Sequence, residues 1–92
     1  MIEMTLFLVI FQEYLVSATP HAGGVCIRFS FPNGYGADVA RNQLTYGFEE
    51  GLWETAVLKG NHITYDTPIT NGVLGCQTEE EVIETLEAIK NL

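Results

Sequence analysis

Val25-Cys26-Ile27-Arg28-Phe29-Ser30-Phe31, followed by Pro32-Asn33-Gly34-Tyr35-Gly36 and then Ala37-Asp38-Val39-Ala40, is the stretch from which the fold is read. Val25, Ile27, Phe29 and Phe31 take every second position and Cys26, Arg28 and Ser30 fall between them. That alternation predicts a strand with one apolar and one polar face. The Pro-Asn-Gly-Tyr-Gly run then turns the chain back. A two-residue turn on Asn33-Gly34 would set Phe29 opposite Asp38 and Arg28 opposite Val39, mixing characters on each face. A five-residue loop aligns Phe31 with Ala37 and Phe29 with Val39, and places Arg28 and Ser30 against Ala40 and Asp38; this is the expected register.

Moving downstream, residues 42–51 are polar and punctuated by glycine and form a connection. Leu52 to Leu58 and Ile63 to Asp66 then predict a second hairpin about Gly60-Asn61, with Leu58 facing Ile63 and Ala56 facing Tyr65. Trp53, Thr55 and Val57 share the other face of that strand. Pro68 and Asn71-Gly72 break the sheet. Thr78-Glu79-Glu80-Glu81 is a capping box, and Val82, Ile83, Leu86 and Ile89 recur at helical spacing, so a helix is expected from Thr78 to about Asn91. Upstream, residues 4–16 read as a buried strand or a short helix, with β-branched and aromatic content favouring strand. Ser17 to Gly24, holding Pro20 and Gly23-Gly24, reads as a connector able to act as a hinge for swapping the N-terminal segment onto another copy.

These elements predict an α+β fold: an antiparallel sheet of four to five short strands, made of two hairpins plus the N-terminal segment, packed by one C-terminal helix. The 92 residues fit one domain (1–92), because two cores would leave each half near the ~40-residue size that usually needs metals or disulfides. Within it, 1–24 is an N-terminal extension and 25–92 a core of four strands followed by the helix. Leu6-Phe7-Leu8-Val9-Ile10-Phe11 resembles a secretory leader only superficially, since Glu3 replaces a basic n-region and Glu13 interrupts the run. A cytoplasmic protein, with Cys26 and Cys76 reduced, is the expectation.

The chain carries 12 acidic and 4 basic side chains, net −8. Nine of those acids follow Gly47, so the second half is acidic while the first is close to neutral. Such a field repels phosphate backbones and anionic lipid, which argues against direct nucleic-acid or membrane binding, and it steers basic protein surfaces toward the second half.

Catalytic patterns are missing. His62 and Asp66, on a common strand, would stand about 13 Å apart, too far to share a metal. Cys26 with His21 has no third orienting group, although a nearby Arg28 would depress the thiol pKa. Phosphate-loop, zincin, nucleophile-elbow and EF-hand patterns do not occur, so neither an enzyme nor a metal or cofactor is expected. Aromatics near loops are common binding anchors, and if the helix covered the Ala56/Leu58 face, Trp53 would be left for a partner. The candidate partner-binding residues are therefore Tyr35, Glu49, Glu50, Trp53, Glu54, Asp66, Glu80 and Glu84.

The run Phe31-Pro32-Asn33-Gly34-Tyr35-Gly36, with Tyr46-Gly47, Glu50-Gly51-Leu52-Trp53-Glu54 and Ala56-Val57-Leu58, resembles small uncharacterised proteins of tailed bacteriophages and prophages. Tyr65-Asp66-Thr67-Pro68-Ile69-Thr70, Val73-Leu74-Gly75 and Thr78-Glu79-Glu80-Glu81-Val82 extend the likeness over residues 28–92. The resemblance carries no assigned site residues. It implies a phage origin and a class of work: binding a host or defence protein, restriction and CRISPR effectors among them. The charge distribution adds a mechanism, the acidic half occupying a basic nucleic-acid groove. Two other expectations stand beside it: a self-assembling accessory protein that dimerises through residues 4–16, and a small-ligand binder that sequesters a nucleotide.

Overall fold

The computed structural model describes residues 5–92. It is α+β, with six antiparallel strands: β1 (Leu15–His21), β2 (Gly24–Ser30), β3 (Tyr35–Arg41), β4 (Trp53–Lys59), β5 (His62–Ile63) and β6 (Val73–Gln77). Two helices, α1 (Leu6–Ile10) and α2 (Glu79–Lys90), complete it. The strands β1 to β4 lie side by side in chain order, and the far edge of β4 is shared by β5 at one end and β6 at the other.

The apolar face of β2 is as expected, but its register with β3 is two residues tighter. Phe29 lies opposite Ala37, Ile27 opposite Val39 and Arg28 opposite Asp38. A three-residue loop, Pro32-Asn33-Gly34, replaces the five-residue one: Phe31 N–H donates to the Tyr35 carbonyl at 2.8 Å, and Gly34 takes the left-handed conformation at φ +87°. A slip of two keeps every side chain on its own face, so hydrophobicity cannot tell the two registers apart. The shorter loop is favoured by a bidentate Arg28–Asp38 pair, at 2.8 and 2.9 Å.

The second hairpin turns at Gly60-Asn61 with Leu58 opposite Ile63, as expected, but ends there. Ala56 pairs with Val73 of β6, not with Tyr65, because the chain leaves β4 before Pro68, which has no N–H for a ladder.

The N-terminal expectations are corrected more deeply. Residues 6–10 form a short helix and not a strand. Residues 17–24 are no hinge: most of them belong to β1, which closes on β2 through a two-residue turn at Ala22-Gly23, both at positive φ. Pro20 is tolerated because β1 is an edge strand.

One face of the sheet holds the core. Ile27, Phe29, Ala37, Val39, Trp53 and Val57 are buried there beneath Phe7 and Phe11 at the N terminus and Val82, Leu86 and Ile89 of α2. Phe7 meets Trp53 edge to face at 4.9 Å between ring centroids. A polar chain crosses this apolar layer: Thr55 Oγ1 donates to Gln77 Oε1 at 2.7 Å, Gln77 Nε2 to Thr85 Oγ1 at 2.8 Å, and Thr85 Oγ1 to the Glu81 carbonyl at 2.9 Å. Each member is satisfied, so the network joins β4, β6 and α2 without an unpaired buried group.

Candidate interaction surface

The α2 N terminus is built as its sequence dictates. Thr78 Oγ1 accepts from Glu81 N–H at 3.2 Å, and Glu81 Oε1 accepts from Thr78 N–H at 2.9 Å. The Thr78 N–H on the carboxylate, and after it the Thr78 hydroxyl, hold the Glu81 carboxyl below its ordinary value. Glu80 and Glu84 lie one turn apart on the exposed side of the helix. Like charges at that spacing repel by about 0.2–0.5 kcal/mol, so α2 carries this charge at some cost to its own stability.

Glu49 and Glu50 sit on a single helical turn, 48–50, between Gly47 and Gly51, both in the left-handed region. The turn closes by Leu52 N–H donating to the Gly47 carbonyl at 2.9 Å. Gly47 is required: a Cβ there would stand 2.8 Å from Leu52 Cβ and 3.1 Å from Cys76 Cα. That close approach seats the turn on β6 just before α2 begins. Trp53 pairs with Gln77, and Arg41, Gly51, Leu52, Thr78 and Glu79 line one cleft. Glu49, Glu50, Glu79 and Glu80 therefore gather at one end of the sheet, with Glu84 a turn further along α2.

The other candidates do not join them. Trp53 is 3 % exposed and is removed from the surface. Its face was read correctly, but both helices cover that face and not the Ala56/Leu58 side. Arg41 stacks over its ring at 4.4 Å. Tyr35 is half-buried beside Lys59, whose Nζ is 5.9 Å from the ring centroid, and Asp66 follows β5. Tyr35 stands opposite Lys59 at the other end of β4, about 20 Å away by strand rise. Glu54 points to the open face, and partial burial raises its pKa. Tyr46, one of the loop aromatics that could serve as an anchor though outside the final candidate set, is 70 % exposed and packs beside Gly75, adjoining the acidic end. Its polar, glycine-rich connection has no periodicity from which exposure could be read.

Arg28 and Asp38 pair on the open face, and Lys90 pairs with Glu87 at 3.2 Å. Among the described residues no basic side chain bridges Glu49, Glu50, Glu80 or Glu84. The Cys26 thiol is pushed up by burial and by Asp38, which together outweigh the lowering by Arg28, so no activated thiol results. His62 and Asp66 share no strand, because β5 ends at Ile63. Among the described residues no three His, Cys, Asp or Glu side chains form a metal-sized group, and no helix is long and apolar enough to cross a membrane.

No family model matches the chain, and neither a curated protein nor a solved structure matches it.

Proposed function

We propose that this chain is a non-enzymatic binding protein that inhibits a host or defence protein, CRISPR effectors among the candidates, by seating its acidic end on a basic surface. The observation that carries the reading is the grouping of Glu49, Glu50, Glu79 and Glu80 at one end of the sheet, next to exposed Tyr46; Arg41 lines the Glu79 cleft but is held over Trp53 and by the Gly51 carbonyl, and among the described residues it forms no ion pair with these carboxylates. Carboxylates so placed mimic a phosphate run, and a basic nucleic-acid groove is the surface they fit best. The anti-defence part is an analogy from the resemblance read in the sequence of residues 28–92.

The test is affinity capture from a bacterial lysate with the full chain and with a Glu49→Gln/Glu50→Gln/Glu80→Gln/Glu84→Gln variant, across a salt series. One dominant basic partner, held at low salt and released as salt rises, is expected with the full chain and lost with the variant. Equal capture by both would sink the proposal.

A second reading, self-assembly, is favoured by the outer face of α1, where Leu6, Val9 and Ile10 are exposed. A helix apolar on both sides ordinarily has cover on both sides. Light scattering discriminates: a dimer dispersed by Val9→Ser/Ile10→Ser supports this reading, and a monomer at high concentration removes it.

A further inference from the structure

The chain contains two Asn-Gly dipeptides, Asn33-Gly34 and Asn71-Gly72, and both asparagines are exposed. We propose that Asn71 is a site of spontaneous deamidation, and that Asn33 is protected because its side chain latches the end of α2.

The reaction is intramolecular. The Gly72 amide nitrogen attacks Asn71 Cγ, a C–N bond closes a five-membered succinimide, and ammonia leaves with the side-chain nitrogen. Water then opens the ring at either carbonyl, giving aspartate or isoaspartate. Attack requires the nitrogen and Cγ to reach near-attack distance, so the asparagine side chain must be free to rotate. A following glycine helps, because it has no Cβ to crowd the nitrogen and its backbone is permissive.

Asn33 is not free. Its Nδ2 donates to the carbonyls of Ile89 and Lys90 at 2.9 and 3.0 Å and reaches that of Leu92 at 3.3 Å, while its Oδ1 accepts from Tyr35 N–H at 3.0 Å. These carbonyls lie at the end of α2, where a helix leaves acceptor capacity unfilled, and that of Ile89 also accepts from Leu92 N–H at 3.2 Å; the loop between β2 and β3 thus caps α2 from outside. The attacking N–H is held in both loops, Gly34 N–H by the Phe31 carbonyl at 3.2 Å and Gly72 N–H by Thr70 Oγ1 at 3.0 Å, so it does not separate the two sites. What separates them is the side chain: reaching the reactive geometry at Asn33 means breaking its own amide bonds at once.

Asn71 has no such anchoring. In its loop the side-chain bonds are made by threonines: Thr67 Oγ1 to its neighbours, and Thr70 Oγ1 accepting from Gly72 N–H at 3.0 Å. Among the described residues the Asn71 amide makes no hydrogen bond. Gly72 has open space around it, with nothing within 4 Å of an added Cβ. Exposure does not distinguish the two dipeptides; anchoring does. The product carries one more negative charge, in the loop that enters β6.

The experiment incubates the full chain at mildly alkaline pH, folded and in urea, and maps the tryptic peptides 29–41 and 60–90. In the folded chain Asn71 should convert at least about tenfold faster than Asn33, a gap set by the opening of the latch, and the gap should close in urea. Gly72→Ala should slow Asn71 without changing the melting temperature, since the added methyl fits. Equal folded-state rates, Asn33 reacting first, or no conversion at Asn71 would each overturn the proposal.

Discussion

α1 and α2 cover the same face of one sheet and are held there by opposite means. α2 runs 12 residues, with a complete capping box, three acids in its first turn, Lys90 in its last and Asn33 bonded to its final carbonyls. α1 runs five residues, with no side-chain cap bond and no charge at either end. It is joined to α2 by Leu6 N–H donating to the Glu79 carboxylate, and it is anchored by Phe7 and the adjoining Phe11, whose rings stack edge to face on Phe29, Trp53 and Phe31. A five-residue helix is far below the ~12–15 residues at which helices become marginally stable alone. Local chemistry specifies one helix, and tertiary burial imposes the other.

The largest effect should come from removing the imposed helix's anchor. Phe7→Ala should cost about 3–5 kcal/mol, the range for an aromatic taken from a packed core, read as a lowered urea midpoint. A cost below about 1 kcal/mol would mean that α1 does not complete the core. Next comes the external latch on α2. Asn33→Asp replaces a donor facing several carbonyls with an acceptor, and should cost about 1–3 kcal/mol; a silent substitution would show that α2 needs no outside cap.

The cap at the other end is smaller and depends on pH. Thr78→Ala should cost about 1 kcal/mol at neutral pH. The folded chain holds the Glu81 carboxyl below its ordinary value, so its contribution is present above that value and is lost as pH falls through the lowered one. The stability gap between the natural chain and Glu81→Gln should therefore narrow on acidification, and a gap that widened would contradict the capping geometry. Smallest of all, Val9→Ser on the outer face of α1 should stay within about 0.5 kcal/mol in the monomer. A larger loss at low concentration would show that this face is covered within a single copy.

The same division explains what could be read from the sequence. α2, the apolar face of β2 and the Gly60-Asn61 hairpin were legible because capping, periodicity and turn chemistry agree there. The β2–β3 register was legible only to its parity; the Arg28–Asp38 pair was the cue that separates registers two residues apart. β1 was hidden because Pro20 and Gly23-Gly24 signal a turn, while an edge strand accepts them. β6 was hidden because its ladder is irregular, with Cys76 at φ +53° interrupting the alternation. At the candidate surface, the exposure of Glu49, Glu50, Glu80 and Glu84 followed from the sequence, but their grouping did not, since it depends on Gly47 packing against Cys76 across 29 positions. Trp53 was misplaced because alternation says which residues share a face and not which face the helices choose.

Trp53 is the single tryptophan of the chain and lies where the two helices and the sheet meet. Acrylamide quenching of its fluorescence is therefore the most direct test of a core completed by α1, which leaves the carboxylates and Tyr46 as the outward groups. Emission should be blue-shifted and resist quenching in the full chain, and become quenchable in Phe7→Ala under conditions where circular dichroism shows α2 intact. Solvent-like emission, freely quenched in the unmodified chain, would contradict that core.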